Sequence, residues 1–180
     1  METLRKAIAA FVPTCEQEER DQQMMLAFID ANPDCLTRDN QVAHLTASAW
    51  VVNPERDKVL MVYHNIYDSW SWTGGHADGD ADLAAVACRE ACEETGIQGL
   101  KPLMDGPASL EVITVDGHVK RGQYVSSHLH LNLTYLFEAD ESQTLTVKED
   151  ENAGVAWIPR EVLEQYVSEP WMLKWIYQKL

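Results

Sequence analysis

Glu90, Glu93 and Glu94 stand within five residues of one another in the run REACEETG (89–96), with Arg89 just before them and Gly96 just after. A helix through this run turns by about 100° per residue, which gathers the three carboxylates on one face and sets Arg89 one turn before Glu93. Like charges at those spacings repel, and the negative end of the helix dipole disfavours anions in the last turn. Each conflict costs roughly 0.3–1 kcal/mol on an exposed helix. Local conflicts of this kind concentrate at functional sites. A hard divalent cation held by carboxylate oxygens converts the repulsion into attraction, and Mg²⁺ in particular is bound by one or two carboxylates together with substrate phosphates. Taken alone, the run also reads as a solvated acidic face.

Two elements must position these groups. The stretch DLAAVACREAC (82–92) is rich in alanine and free of Gly and Pro, which predicts a helix, and Gly96 supplies its stop. Upstream, SWTGGHADGD (71–80) reads as a short aromatic strand that breaks at Gly74 and Gly75 into a loop, where glycine permits approaches that a side chain forbids. Strand, glycine loop and acidic helix form one unit.

That unit resembles the box of the Nudix hydrolase family, which reads G, five residues, E, seven residues, REUxEExGU, with U aliphatic. Gly75 opens the box, and Arg89, Glu90, Glu93, Glu94, Gly96 and Ile97 fall in register, with Ala91 at U. Two positions depart: the aliphatic U is the small apolar Ala91, and the first box glutamate falls on Ala81, so Arg89 needs another partner, and Asp80, Asp82 and Glu93 are on offer. The box covers about an eighth of the chain, Gly75 to Ile97, and the strand order around it extends the resemblance over most of the rest. It implies an α/β fold, a Nudix-type α/β/α sandwich with a mixed sheet, here with an added N-terminal helix. It also implies hydrolysis of a pyrophosphate bond in a nucleoside diphosphate linked to another group, with Mg²⁺ or Mn²⁺ as cofactor. Glu90, Glu93 and Glu94 would then hold the cation, with the Gly75 carbonyl as a further oxygen, and Arg89 would order the carboxylates. The catalytic base falls either on Glu94 or on Glu151 in the acidic run KEDEN (148–152).

Substrate contacts are sought next to this box. Trp70 and Trp72 offer faces for a base, although a Trp in a strand is also core material. His76 follows the glycine pair, and His128 and His130 project from one face of a later strand, so these three and Trp72 are the candidate substrate-binding residues. Two other readings share the resemblance. Isopentenyl diphosphate isomerases have the same fold and use His and Glu at a metal, for which His44, His76, His128 and His130 would be the ligands here, with a catalytic cysteine in C-G-H-P; the segment is G-G-H-A, and Gly74 stands at the thiol's place. A sensor that binds a nucleotide without turnover is the third reading, kept open by Ala81.

Composition bounds the remainder. The chain has 180 residues, enough for one domain with a real core, and 14 basic against 29 acidic residues give a net charge of −15. So acidic a surface argues against bulk DNA or RNA as partner but not against a small phosphorylated molecule. No apolar run approaches the ~20 residues of a membrane span, and METLRKAIAAFVP has too short an apolar core for a secretory signal, so cytoplasm is expected. Cys15, Cys35, Cys88 and Cys92 lack zinc-knuckle spacing; Cys88 and Cys92 face away from the glutamates, where core packing suits them.

The whole chain, 1–180, is expected to be one domain, with residues 1–40 a helical extension, 41–160 the core and 161–180 C-terminal helices. Thr14 and Gln17 resemble a capping box that opens a helix running to Ala31. Segments 44–53 and 58–64 predict a hairpin about PERD, and SLEVITV (109–115) a strand before an Asp116-Gly117 turn. A long strand then runs from Tyr124 to Phe137, with His128, His130, Asn132 and Thr134 alternating with Leu129, Leu131, Leu133 and Tyr135. GVAWIP (154–159) predicts a final strand before two helices whose Trp171, Trp175 and Ile176 could pack inside or across a homodimer.

Overall fold

The structure, a computed structural model, describes all residues except Arg121 and Glu151. Helices α1 (Glu2–Ala10) and α2 (Glu16–Ala31) lead into the strands β1 (Ala43–Val52), β2 (Lys58–His64), β3 (Ser69–Ser71) and β4 (Thr73–His76), and then α3 (Leu83–Thr95). After it come β5 (Lys101–Pro102), β6 (Ser109–Val115), β7 (His118–Lys120), β8 (Gln123–Val125), β9 (His128–Glu138) and β10 (Asn152–Pro159). A 3₁₀ helix (Arg160–Gln165) and α4 (Pro170–Met172), which continues as a π-helical turn (Leu173–Tyr177), complete the described elements. No described helix is long and apolar enough to cross a membrane.

A mixed sheet runs in the order β10-β2-β1-β9-β5, with β3 also on β2, β4 on β1 and β6 on β9; β7 and β8 form a separate hairpin. Its axis is the parallel pair β1–β9, in register from Ala43↔Leu129 to Val52↔Glu138. β1 is buried along its whole length, the habit of a strand covered on both faces. Leu45, Ala47, Ala49 and Val51 pack with Leu131, Leu133 and Phe137 beneath Leu4, Ile8, Met25 and Val86 from the first three helices. On the opposite face, Trp50 and Val52 pack with Met61, Trp72 and Ile158 under Leu163, Met172, Ile176 and Tyr177. The sheet therefore lies between two helical layers.

Several local expectations change. α1 is present in addition to the expected helix, and α2 is capped by Cys15 with no side-chain bond. Thr14 lies one residue too early to cap; its N–H and hydroxyl both donate to buried Glu18, at 2.7 and 2.8 Å. The 44–53/58–64 hairpin survives only as Val52↔Val59, because β4 occupies that edge of β1 from Thr46 to Ala49. Gly74 and Gly75 lie inside β4 and not in the loop after it. The long strand from Tyr124 is divided into β8 and β9. The C-terminal stripe splits: Ile176 is buried, while Trp171 and Trp175 are 42% and 40% exposed.

Candidate active site

α3 begins at Asp82, whose side chain accepts from the Ala85 N–H, and ends at Gly96, whose φ of 75° lets its N–H reach the Cys92 carbonyl. Its last turns set Glu90 against Gly75 and Glu94 against Gly74 of β4, while Glu93 is exposed. Glu94 is buried and accepts from the Gly74 N–H and from Asn152 Nδ2, each at 3.3 Å. Neither glycine of the pair has a positive φ; what forbids a side chain is proximity. A Cβ on Gly75 would sit 2.6 Å from Glu90 Cδ, and one on Gly74 would sit 2.6 Å from the Ala47 carbonyl oxygen. A thiol at position 74, which isomerase chemistry requires, thus has no room.

Arg89 finds its partner among the alternatives the sequence offered. Its guanidinium lies 3.7 Å from Asp80, while Asp82 is engaged in capping the helix. The carboxylate one residue before Ala81 is thus a partner of Arg89.

Gly74, Gly75, Glu90, Glu93 and Glu94 line a cleft of about 1000 Å³, to which Arg89 and Asp80 do not contribute. Its floor is one face of the sheet. In-register pairing sets His44 beside His130, Thr46 beside Asn132 and Ser48 beside Thr134, while β4 brings His76 beside Thr46. Asn132 joins this floor together: its carbonyl oxygen accepts from Thr46 and Ser48 at 2.9 and 3.0 Å, and its amide donates to Glu111 at 3.0 Å. Thr134 donates to the same Glu111 oxygen at 2.9 Å. Burial pushes the Glu111 carboxyl up, and its other oxygen faces Lys179 at 3.8 Å.

At one end of the floor four imidazoles meet. The His44 ring centre lies 5.0–5.1 Å from those of His76, His128 and His130, and His128 and His130 approach at 3.3 Å between Nε2 atoms. Burial, then Arg38 and His44, lowers His76 to about 3, and burial with the neighbouring imidazoles lowers His130 to about 2. Burial likewise lowers His44.

The structure brings Gly75, Glu90, Glu93, Glu94, His76, His128 and His130 to the one cleft. Trp72 borders it too, but it is 8% exposed and its ring packs edge-on to Tyr177 at 5.3 Å. Glu151 lies outside the described residues; of the same run, Lys148, Asp150 and Asn152 at the start of β10 line the cleft. Sequence reasoning raised His44 only as a ligand of the isomerase reading and left Thr46, Ser48 and Glu111 out of the site. The alternation of polar residues along β1 held a signal for the first three, but only the pairing with β9 shows where that face points.

The fold, with three carboxylates of one helix set at the mouth of a cleft, is of a class that the comparisons with known proteins identify. Residues 42–178 match the NUDIX domain, and the chain belongs to this family; it is a Nudix hydrolase. A solved NUDIX-family hydrolase from Clostridium perfringens aligns with a TM-score of 0.54 at 21% identity, covering 76% of this chain and 95% of that one. The dihydroneopterin triphosphate pyrophosphohydrolase of E. coli aligns at 0.56 and 12% identity, covering 76% and 93%. Both show the fold. In sequence, 54 residues are 44% identical to a CMP-5'-(N-acetyl-N-hydroxy-3-aminopropyl)phosphonate hydrolase of Streptomyces rubellomurinus, a match spanning 28% of this chain and 26% of that protein.

Proposed function

We propose that this Nudix hydrolase cleaves, with Mg²⁺ or alternatively Mn²⁺, the phosphoanhydride bond that joins a nucleotide to a second group, acting on a small phosphorylated molecule in the cytoplasm. The observation that carries this reading is the bare α-carbon of Gly75 against the Glu90 carboxylate, a close approach that a single methyl group would fill. It supports an oxygen-lined cradle made of Glu90, Glu93, Glu94 and the Gly75 carbonyl, a donor set suited to a hard cation. When bound, such a cation offsets phosphate charge and lowers the pKa of a coordinated water.

The chain's own groups do the rest. Glu94, held by Gly74 and Asn152, serves as the catalytic base, and Glu151 of the acidic run KEDEN (148–152) is the alternative. Arg89, tethered to Asp80, steadies the helix turn that carries the carboxylates. Water adds to one phosphorus, the bridging P–O bond breaks, and each product leaves as an acid. His76, His128 and His130 along the floor, with the edge of Trp72, face the remainder of the substrate. The Streptomyces relative, named for a CMP-linked phosphonate, supports a nucleotide joined to a second phosphorus acid as the first class to try. Exposed Trp171 and Trp175 provide the surface for a homodimer, which sedimentation would detect.

The test is product release with Mg²⁺ over a panel of CMP-phosphonates, nucleotide sugars, ADP-ribose, dinucleoside polyphosphates and NADH. Glu93→Gln, on an exposed side chain, is expected to reduce kcat at least 100-fold while the melting temperature stays unchanged. Turnover that persists in Glu93→Gln and Glu94→Gln removes the carboxylates from the mechanism. Binding without any turnover makes the protein a sensor.

A further inference from the structure

We infer that His44, His76 and His130 form a second cation site in the cleft, distinct from the carboxylates and built for a nitrogen-preferring divalent ion of the Zn²⁺ and Co²⁺ class. One ligand atom from each of the three lies within 4.8 Å of the other two. They come from three strands held in register: β1 sets His44 against His130 of β9, and His76 of β4 pairs beside Thr46. The site is thus placed by paired strands of the sheet, not by a loop.

The tautomer of His44 points the same way. Its Nδ1 lies 3.1 Å from the Asn40 carbonyl oxygen, which only accepts, so Nδ1 carries the proton and Nε2 keeps its lone pair. That Nε2 is buried, in a residue 4% exposed, and has no hydrogen-bond partner. A buried lone pair without a donor is unfavourable. An imidazole fixed by a backbone carbonyl at one nitrogen, with the other turned inward, has the arrangement of a metal ligand and its outer partner. His128 adds to it: its Nδ1 donates to the Ser126 carbonyl at 2.8 Å, so its Nε2 accepts, and His130 is the donor across the 3.3 Å contact.

Donor chemistry selects the ion. Three imidazole nitrogens suit Zn²⁺, Co²⁺ and Ni²⁺, whereas Mg²⁺ takes oxygen. Around a tetrahedral ion with bonds of about 2.0–2.1 Å, ligand nitrogens stand about 3.3 Å apart. Closing from 4.8 Å therefore needs about 1.5 Å of ring movement. The partly exposed side chains of His76 and His130 have the freedom for it, while His44 stays fixed. Three protein ligands leave a fourth position toward the cleft, fitted to an anionic oxygen of the bound substrate. The inference does not depend on which bond the carboxylates cleave.

The experiment needs neither substrate nor turnover. The full chain, stripped with chelator, is titrated with Co²⁺ in the presence of excess Mg²⁺, which occupies any oxygen-donor site. The expected result is one Co²⁺ per chain, visible absorption of tetrahedral intensity, and three paramagnetically shifted, exchangeable imidazole N–H resonances. His76→Ala and His130→Ala should each weaken Co²⁺ at least 30-fold, while Glu93→Gln leaves its affinity unchanged. Absence of binding under excess Mg²⁺ overturns the site. So do fewer than three shifted imidazole resonances in the unmodified protein, a reading that holds even if a histidine variant does not fold. Loss of Co²⁺ in Glu93→Gln with full retention in His76→Ala would move the ion to the carboxylates.

Discussion

A methyl group at residue 75 is the smallest change that should separate folding from chemistry. Gly75→Ala puts a Cβ 2.6 Å from Glu90 Cδ, and Glu90, as the end of a side chain, can swing away. Activity is therefore expected to drop about 100-fold with the melting curve nearly unchanged, since misplacing a reacting group by an ångström costs that much. Gly74→Ala meets backbone at the same distance and should destabilise the fold itself, which urea denaturation will detect. Asn132 makes the complementary case. Asn132→Leu strips Thr46, Ser48 and Glu111 of a buried partner at once, and a loss of about 3 kcal/mol is expected in the same measurement. The spacing of Gly75, Glu90, Glu93 and Glu94 was legible because helix geometry is local. The role of Asn132 was not, because its partners lie 86 residues away on β1 and 21 residues away on β6.

An ammonium group joins the hydrogen bonds that tie the C-terminus and α2 to β6. Lys179 Nζ donates to Gln17 and Glu18 of α2 at 2.8 and 2.9 Å and faces Glu111 of β6. Lys179→Met should cost about 3 kcal/mol, because it leaves two buried carboxylates without their cation. Burial alone would raise Glu18, but hydrogen bonds from Lys179 and Thr14 outweigh it and hold the carboxyl below its ordinary 4.5. Glu18 therefore binds a proton less readily in the folded than in the unfolded chain. Its stabilisation is complete above about pH 4.5 and is lost as pH falls through the lower folded value. The stability gap between wild type and Glu18→Gln, read from urea midpoints, should narrow from pH 6 to pH 3. Nothing local announces this arrangement: Thr14 and Gln17 show the pattern of a cap, and the buried acid that competes for Thr14 becomes visible only once β6 lies beneath α2. The α3 boundaries, by contrast, follow from Asp82 and Gly96 alone.

At the scale of the molecule, a net charge of −15 opposes any anionic substrate on its way in. Salt shortens the reach of that field to about 10 Å at 0.1 M. At fixed free Mg²⁺, raising NaCl from about 20 to about 200 mM should lower the KM for a nucleotide several-fold with little change in kcat. The reverse trend would place a local positive field at the cleft mouth. The sandwich was foreseeable from strands flanking an acidic helix; the strand order was not, since β1 leaves its expected hairpin for two distant partners.

That choice of partner also governs how the polypeptide reaches its native state. The central parallel ladder joins segments separated by 86 residues, and the entropy of closing so large a loop must be met before any contact repays it. Refolding from denaturant is expected on the slow side for a domain of this size, in milliseconds to seconds. Until β9 docks, β1 carries an unpaired edge beside a greasy face, and it is in that interval that the chain is most prone to aggregate.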